Sequence, residues 1–170
     1  MNNLILITKN KKYFLNFKNR FYECIIGRSG LINTKLKTEG DGATPRGNWE
    51  LRNVWYREDR IENFSCNLPV KIIEKDDGWC DDPKSPDYNK NIKLPSKFNH
   101  EKLFRDDNLY DILITIGYND LNIIRDKGSA IFIHCRNHDK NYTEGCIGLW
   151  KKDLIEIFKS LKIGDKLIIR

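Results

Sequence analysis

Ala130-Ile131-Phe132-Ile133-His134 and, after a polar loop, Thr143-Glu144-Gly145-Cys146-Ile147-Gly148-Leu149 decide how this chain is read. The first stretch is an apolar run ending on histidine, which reads as an interior strand. Side chains alternate along a strand, so Phe132 and His134 share one face while Ile131, Ile133 and Cys135 share the other. Cys135 then points away from the histidine, into a core. Cys146 follows eleven intervening residues later and sits among small residues. Of the cysteines, Cys146 is therefore the better nucleophile candidate.

A cysteine nucleophile needs a base, an open approach and donors for an oxyanion. A free thiol with a pKa of about 8.5 is only a few per cent thiolate at neutral pH. An imidazole within reach raises that fraction and later returns the proton to a leaving amine. Gly145 and Gly148 leave the surroundings uncrowded, and the amides of Gly145 and Cys146 could face a developing oxyanion. One such donor is worth about 3 kcal/mol. The competing readings are a structural histidine at a strand end and an inert thiol in a glycine turn. A metal site using His134, His138, Cys135 and Cys146 has no recognised ligand spacing, so none is expected.

Working outward, the 170 residues suit one domain, 1–170, with a core that needs no staples. At 39% hydrophobic and 32% charged, the composition is that of a globular chain, not a disordered or fibrous one. No run approaches the length of a transmembrane helix. Five cysteines, Cys24, Cys66, Cys80, Cys135 and Cys146, are an odd number, so at least one thiol stays unpaired. The formal charge of +6 falls entirely within residues 1–40. A solvated basic strand pair explains that front end, with an anionic surface or nucleic acid as the alternative. Leu4-Ile5-Leu6-Ile7 is too short for a secretory signal, and its lysines follow instead of preceding it. Taken alone, this reads as cytoplasmic, or as export by a route not visible here.

The chain is strand-rich. Asn3–Thr8, Phe21–Ile26, Trp49–Trp55, Asp111–Gly117, Ala130–His134 and Lys166–Ile169 all carry β-branched or aromatic runs. Leu154, Ile157, Phe158 and Leu161 make one apolar helix face over roughly 151–161, which Gly164 stops. Residues 56–110 hold four of the five prolines and little periodicity, so they read as a long loop-rich insertion. Within it Trp79 and Tyr88-Asn89 either line a pocket or anchor the loop.

At these residues the sequence resembles the L,D-transpeptidase catalytic domain family of the YkuD type. His134, a spacer, and Thr143-Glu144-Gly145-Cys146 are similar to that family's histidine and Ser/Thr-His-Gly-Cys segment. Gly40-Asp41-Gly42-Ala43-Thr44-Pro45-Arg46-Gly47 resembles its Thr-Pro-x-Gly region. Asp77-Gly78-Trp79-Cys80-Asp81-Asp82-Pro83, Tyr88-Asn89 and Gly117-Tyr118-Asn119-Asp120 resemble a bacterial subgroup. The resemblance implies a mostly β fold, a β-sandwich-like core with a helix toward the C-terminal region. It implies that Cys146 attacks the diaminopimelate–D-Ala amide of a peptidoglycan stem, with His134 as base and then acid. The thioester passes to an amine of a second stem, or to water, which would make the protein a carboxypeptidase or amidase-type hydrolase. Peptidoglycan stems are the implied partners and a carbapenem the implied inhibitor, with no cofactor, metal or nucleic acid expected. The implied workplace is the periplasm or cell wall, against the missing signal. A non-catalytic wall- or nucleic-acid-binding module is the remaining alternative.

Three departures stand out. Glu144 replaces the histidine before Gly-Cys, Cys146 lies only twelve positions after His134, and Gly148 replaces a polar or basic residue. Substrate contacts are therefore assigned to Thr143, Trp79, Tyr118 and Arg136, with Arg46 as a second option for a substrate carboxylate.

Overall fold

A computed structural model describes residues 2–170. The chain runs β1 (Leu4–Lys9), β2 (Lys12–Phe17), β3 (Arg20–Cys24), β4 (Leu31–Ile32), β5 (Thr44–Pro45) and β6 (Gly47–Tyr56). The insertion follows with β7 (Val70–Ile72), β8 (Asp77–Cys80), β9 (Asn91–Lys93) and β10 (His100–Lys102). Then come β11 (Ile112–Ile116), β12 (Phe132–Cys135), β13 (Ile147–Leu149), α1 (Lys151–Lys159) and β14 (Lys166–Ile169). The protein is mostly β, as expected. The helix ends two residues earlier than the periodicity suggests.

The main sheet has the order β13-β12-β11-β6-β14-β1-β2-β3, with β7 added alongside β6. Its two ends meet: Ile25, just past β3, bridges Gly148 of β13 through paired amide–carbonyl bonds of 2.9 Å. The sheet is thus nearly closed around one core. Leu4, Leu15, Val54, Ile114, Ile133 and Leu167 fill it, joined by Leu154, Ile157 and Phe158 of α1. The helix face read from the sequence is the buried one. Asp111 pins the start of that helix, accepting from Lys151 Nζ at 2.8 Å and from Arg60 at 2.7 Å.

Alternation along β12 divides its side chains between two cores. Ile131, Ile133 and Cys135 enter the large one. Phe132 faces a smaller one with Trp55, Leu113, Tyr110 and Cys146, and Trp79 packs against it. The insertion caps that smaller face. It is more ordered than a loop: β10-β8-β9 form a small sheet of their own. These strands are three or four residues long and largely polar, so they carry no periodic signal. Tyr88 and Asn89 anchor the insertion, Tyr88 through Glu39 and Asn89 through the Asn119 carbonyl at 2.7 Å and the Ala130 amide at 3.0 Å.

The basic front end forms the hairpins β1-β2-β3, and Lys9, Lys11, Lys12, Lys18 and Arg20 are exposed, as a solvated strand pair requires. Lys37 departs from that reading. It is buried, and its ammonium pairs with Asp41 at 2.8 Å.

Candidate active site

The parallel pairing of β12 with β13 sets Ile133 beside Ile147 and His134 beside Gly148. Cys146 immediately precedes β13, so its thiol falls next to Phe132. The Phe132 amide donates to Sγ at 3.2 Å, and the thiol donates to the Ala130 carbonyl at 3.0 Å. Burial and the nearby Glu101 carboxylate push the Cys146 thiol up to about 12.

His134 is buried, and its Nδ1 lies 2.7 Å from the Cys135 carbonyl oxygen. A carbonyl only accepts, so Nδ1 carries the proton and Nε2 keeps its lone pair. The ring meets Tyr110 edge-on at 5.3 Å. Burial lowers the His134 pKa to about 4. The resting pair is thus a neutral thiol and a neutral imidazole. They line one cavity of about 600 Å³. No hydrogen bond joins them among the described residues, each being held by backbone groups.

The turn carrying Cys146 is braced from three directions. Thr143 Oγ1 donates to the Cys146 carbonyl at 2.6 Å and accepts from the Gly145 amide at 3.2 Å. Gly145 takes φ +134, and a Cβ there would sit 3.0 Å from the Ala43 carbonyl oxygen, so only glycine fits. Thr44 Oγ1 donates to the Gly145 carbonyl at 2.8 Å and accepts from the Gly27 amide at 2.9 Å. Beyond it, the Thr143 amide donates to the Ile26 carbonyl at 2.8 Å. Glu144 pairs with Arg28.

Of the two amides expected to face an oxyanion, Gly145's is engaged by Thr143. The Cys146 amide has no hydrogen-bond partner among the described residues. Thr143 and Arg136 line the cavity with Cys146 and His134. The Arg136 guanidinium lies over Trp150 at 4.6 Å, with Nε buried and unpaired. Trp79 and Tyr118 do not reach it. They line a second cavity of about 430 Å³ together with Phe132. Trp79 packs on Phe132 at 5.0 Å and donates to Asn89 at 2.9 Å, while Tyr118 packs on Trp49 at 5.1 Å. Arg46 is exposed and outside the cavity. His138 stacks on Trp150 at 4.5 Å.

Several cavity residues lie outside the sequence reading, Glu101, Lys102, Arg105 and Tyr110 of the insertion among them. Nothing local marks them: Glu101 and Lys102 reach the site on β10, and Arg105 and Tyr110 follow that strand in the chain. Arg28 belongs to the basic residues 1–40. Closure of the sheet brings it against Glu144. All five cysteines are free thiols. Among the described residues no group of three or more His, Cys, Asp or Glu is placed to hold a metal. Among the described residues no helix is long and apolar enough to cross a membrane.

A braced cysteine turn and a strand-end histidine thus line one cavity of a nearly closed sheet. The chain belongs to the L,D-transpeptidase catalytic domain family, YkuD, whose model matches residues 2–169. Among solved structures it is similar to an L,D-transpeptidase from Mycobacterium smegmatis. That match has 13% identity and a TM-score of 0.40, and covers 99% of this chain and 59% of the other. The chain therefore spans about three-fifths of that protein's length. No curated protein sequence matches.

Proposed function

We propose that the protein is a peptidoglycan L,D-transpeptidase in which Cys146 is the nucleophile and His134 the general base. The observation that carries this reading is the cavity that Cys146 and His134 both line, and the Nδ1 bond to the Cys135 carbonyl supports a free lone pair on Nε2. With the thiol near 12 and the imidazole near 4, no thiolate accumulates at rest. Proton transfer then accompanies attack on the diaminopimelate–D-Ala carbonyl instead of preceding it. A substrate that displaces the Ala130 carbonyl from the thiol frees the proton for His134. The Cys146 amide is the donor left for the oxyanion. Imidazolium returns the proton to departing D-Ala, and a second stem's amine resolves the thioester. Thr143 holds the turn, while Arg136, one of several cations that line the cavity, is assigned to a stem carboxylate. Trp79 and Tyr118 act on the substrate only through the wall they share with Phe132.

Intact-mass measurement with a carbapenem is the direct test. We expect one adduct on the wild type and none on Cys146→Ala, and an adduct on that variant refutes the assignment. His134→Ala is expected to slow acylation by about 10²–10⁴-fold, the range of a general acid–base group. With tetrapeptide muropeptides, crosslinked dimers are expected, whereas products that are only shortened identify a hydrolase.

A further inference from the structure

Glu101 lines the same cavity as Cys146 and His134, yet the mechanism above gives it no part. Strand β10 sets its position, pairing Glu101 with Trp79 of β8. One carboxylate oxygen accepts from the Tyr110 hydroxyl. The Tyr110 ring in turn packs edge-on against Phe132 at 6.1 Å and His134 at 5.3 Å. A phenol that touches the base thus fixes the acid beside the nucleophile.

Among the described residues Glu101 forms no ion pair. Arg105 acts on it, but Asp107 binds that guanidinium through Nε and one terminal nitrogen at 2.8 and 2.6 Å. The groups acting on Glu101 are Tyr110, Arg105 and the carboxylates Asp81 and Glu39, and Glu101 itself acts on Cys146. Burial raises its pKa, a property useful to a base. A partly buried carboxylate that forms no ion pair and opens onto the cavity of Cys146 is suited to a cation brought by a ligand.

Resting on the acyl-transfer reading, we propose that Glu101 receives the ammonium group of the amine acceptor and takes its proton, serving as base for the second half-reaction. An alkylamine with a pKa near that of lysine, about 10.4, is under one part in a thousand neutral at pH 7. It must lose a proton before it can attack. The balance is as follows. The ammonium gives one proton to Glu101, and the amine nitrogen then bonds to the thioester carbonyl carbon. The carbon–sulfur bond breaks, and the sulfur takes the amine's second proton through His134, restoring the Cys146 thiol. Glu101 releases its proton to solvent.

The test is how the acyl-enzyme partitions, a ratio independent of how fast the thioester forms. Tetrapeptide muropeptide serves as donor and acceptor, and the ratio of crosslinked dimer to tripeptide is read by mass spectrometry. For Glu101→Gln, which can still accept from Tyr110, we expect that ratio to fall about tenfold or more. Capture by hydroxylamine, already uncharged at neutral pH, is expected to stay at the wild-type ratio. An unchanged dimer ratio, or an equal loss of hydroxylamine capture, overturns the proposal. Glu101→Asp keeps a carboxylate and should transfer better than Glu101→Gln, so equal values also count against it. A wild-type protein that forms no thioester at all refutes the acyl-transfer reading itself, which is a different result.

Discussion

His134 joins chemistry and stability in one side chain. Its folded-state pKa is lowered to about 4 against an ordinary value of 6.5. Between those values the unfolded chain binds a proton that the folded protein refuses. Stability therefore falls as the pH drops below about 6.5, and the loss levels off near 4. The size follows from the shift, on the order of 3 kcal/mol. Urea unfolding of the wild type between pH 7 and pH 4 should show that decline, and His134→Gln should show a flatter one. Parallel curves would mean that the imidazole is not held neutral. The same residue was legible in the sequence because strand alternation separates it from Cys135 without any knowledge of the fold. Glu101 was not, since its place beside Cys146 depends on a strand pairing within a segment that lacks periodicity.

At the scale of elements, the segment from Gly40 to Gly47 illustrates what a motif conceals. In the sequence it stands out by its resemblance to the family's Thr-Pro-x-Gly region. The structure adds a duty, because the Thr44 hydroxyl spans the Gly27 amide and the Gly145 carbonyl. Asp41 holds the segment down, accepting from the amides of Thr38 at 2.9 Å and Ala43 at 2.8 Å besides Lys37. Thr44→Val keeps the shape but leaves two buried backbone groups unpaired, a loss of about 2–4 kcal/mol in all. Chemical denaturation should report that loss, and carbapenem acylation should slow with it as the Cys146 turn loosens. Unaltered stability would show that water replaces the hydroxyl. Long strands rich in β-branched residues, such as β6 and β11, declare themselves by composition. By contrast, β13 is three residues with a central glycine, so its strand character comes from β12 alongside and Ile25 opposite. The insertion's short strands are hidden for the same reason.

At the scale of the whole molecule, the sheet's closure positions the site. Gly148 is where the two edges meet, and a Cβ there would lie 2.8 Å from Ile25 Cγ1. Gly148→Val should force the edges apart, costing about 1–3 kcal/mol as overpacking does. Hydrogen exchange gives the specific readout: the Ile25 and Gly148 amides, bonded at 2.9 Å, should lose protection before the amides of β11. Retained protection at both would show that the contact adapts without opening. The absence of a polar residue at this position, which the sequence presents as a departure from the family pattern, has a packing reason.

The path of the sheet also imposes an order in time. Strands β1, β2 and β3 join the rest of the sheet on two sides, through β14, which pairs with β1 and β6, and through the bridge of Ile25 to Gly148. Yet β14 comes after Cys146 in the chain. During synthesis the cysteine, the histidine and the Thr44 brace all emerge before the strand that docks the N-terminal hairpins. Until Lys166–Ile169 arrives, the hairpins are held to the turn at Thr143–Gly148 through the sheet only by the backbone bonds of Ile25, Ile26 and Arg28. The last strand thus turns a single seam into a ring fastened on both sides of the Cys146 turn.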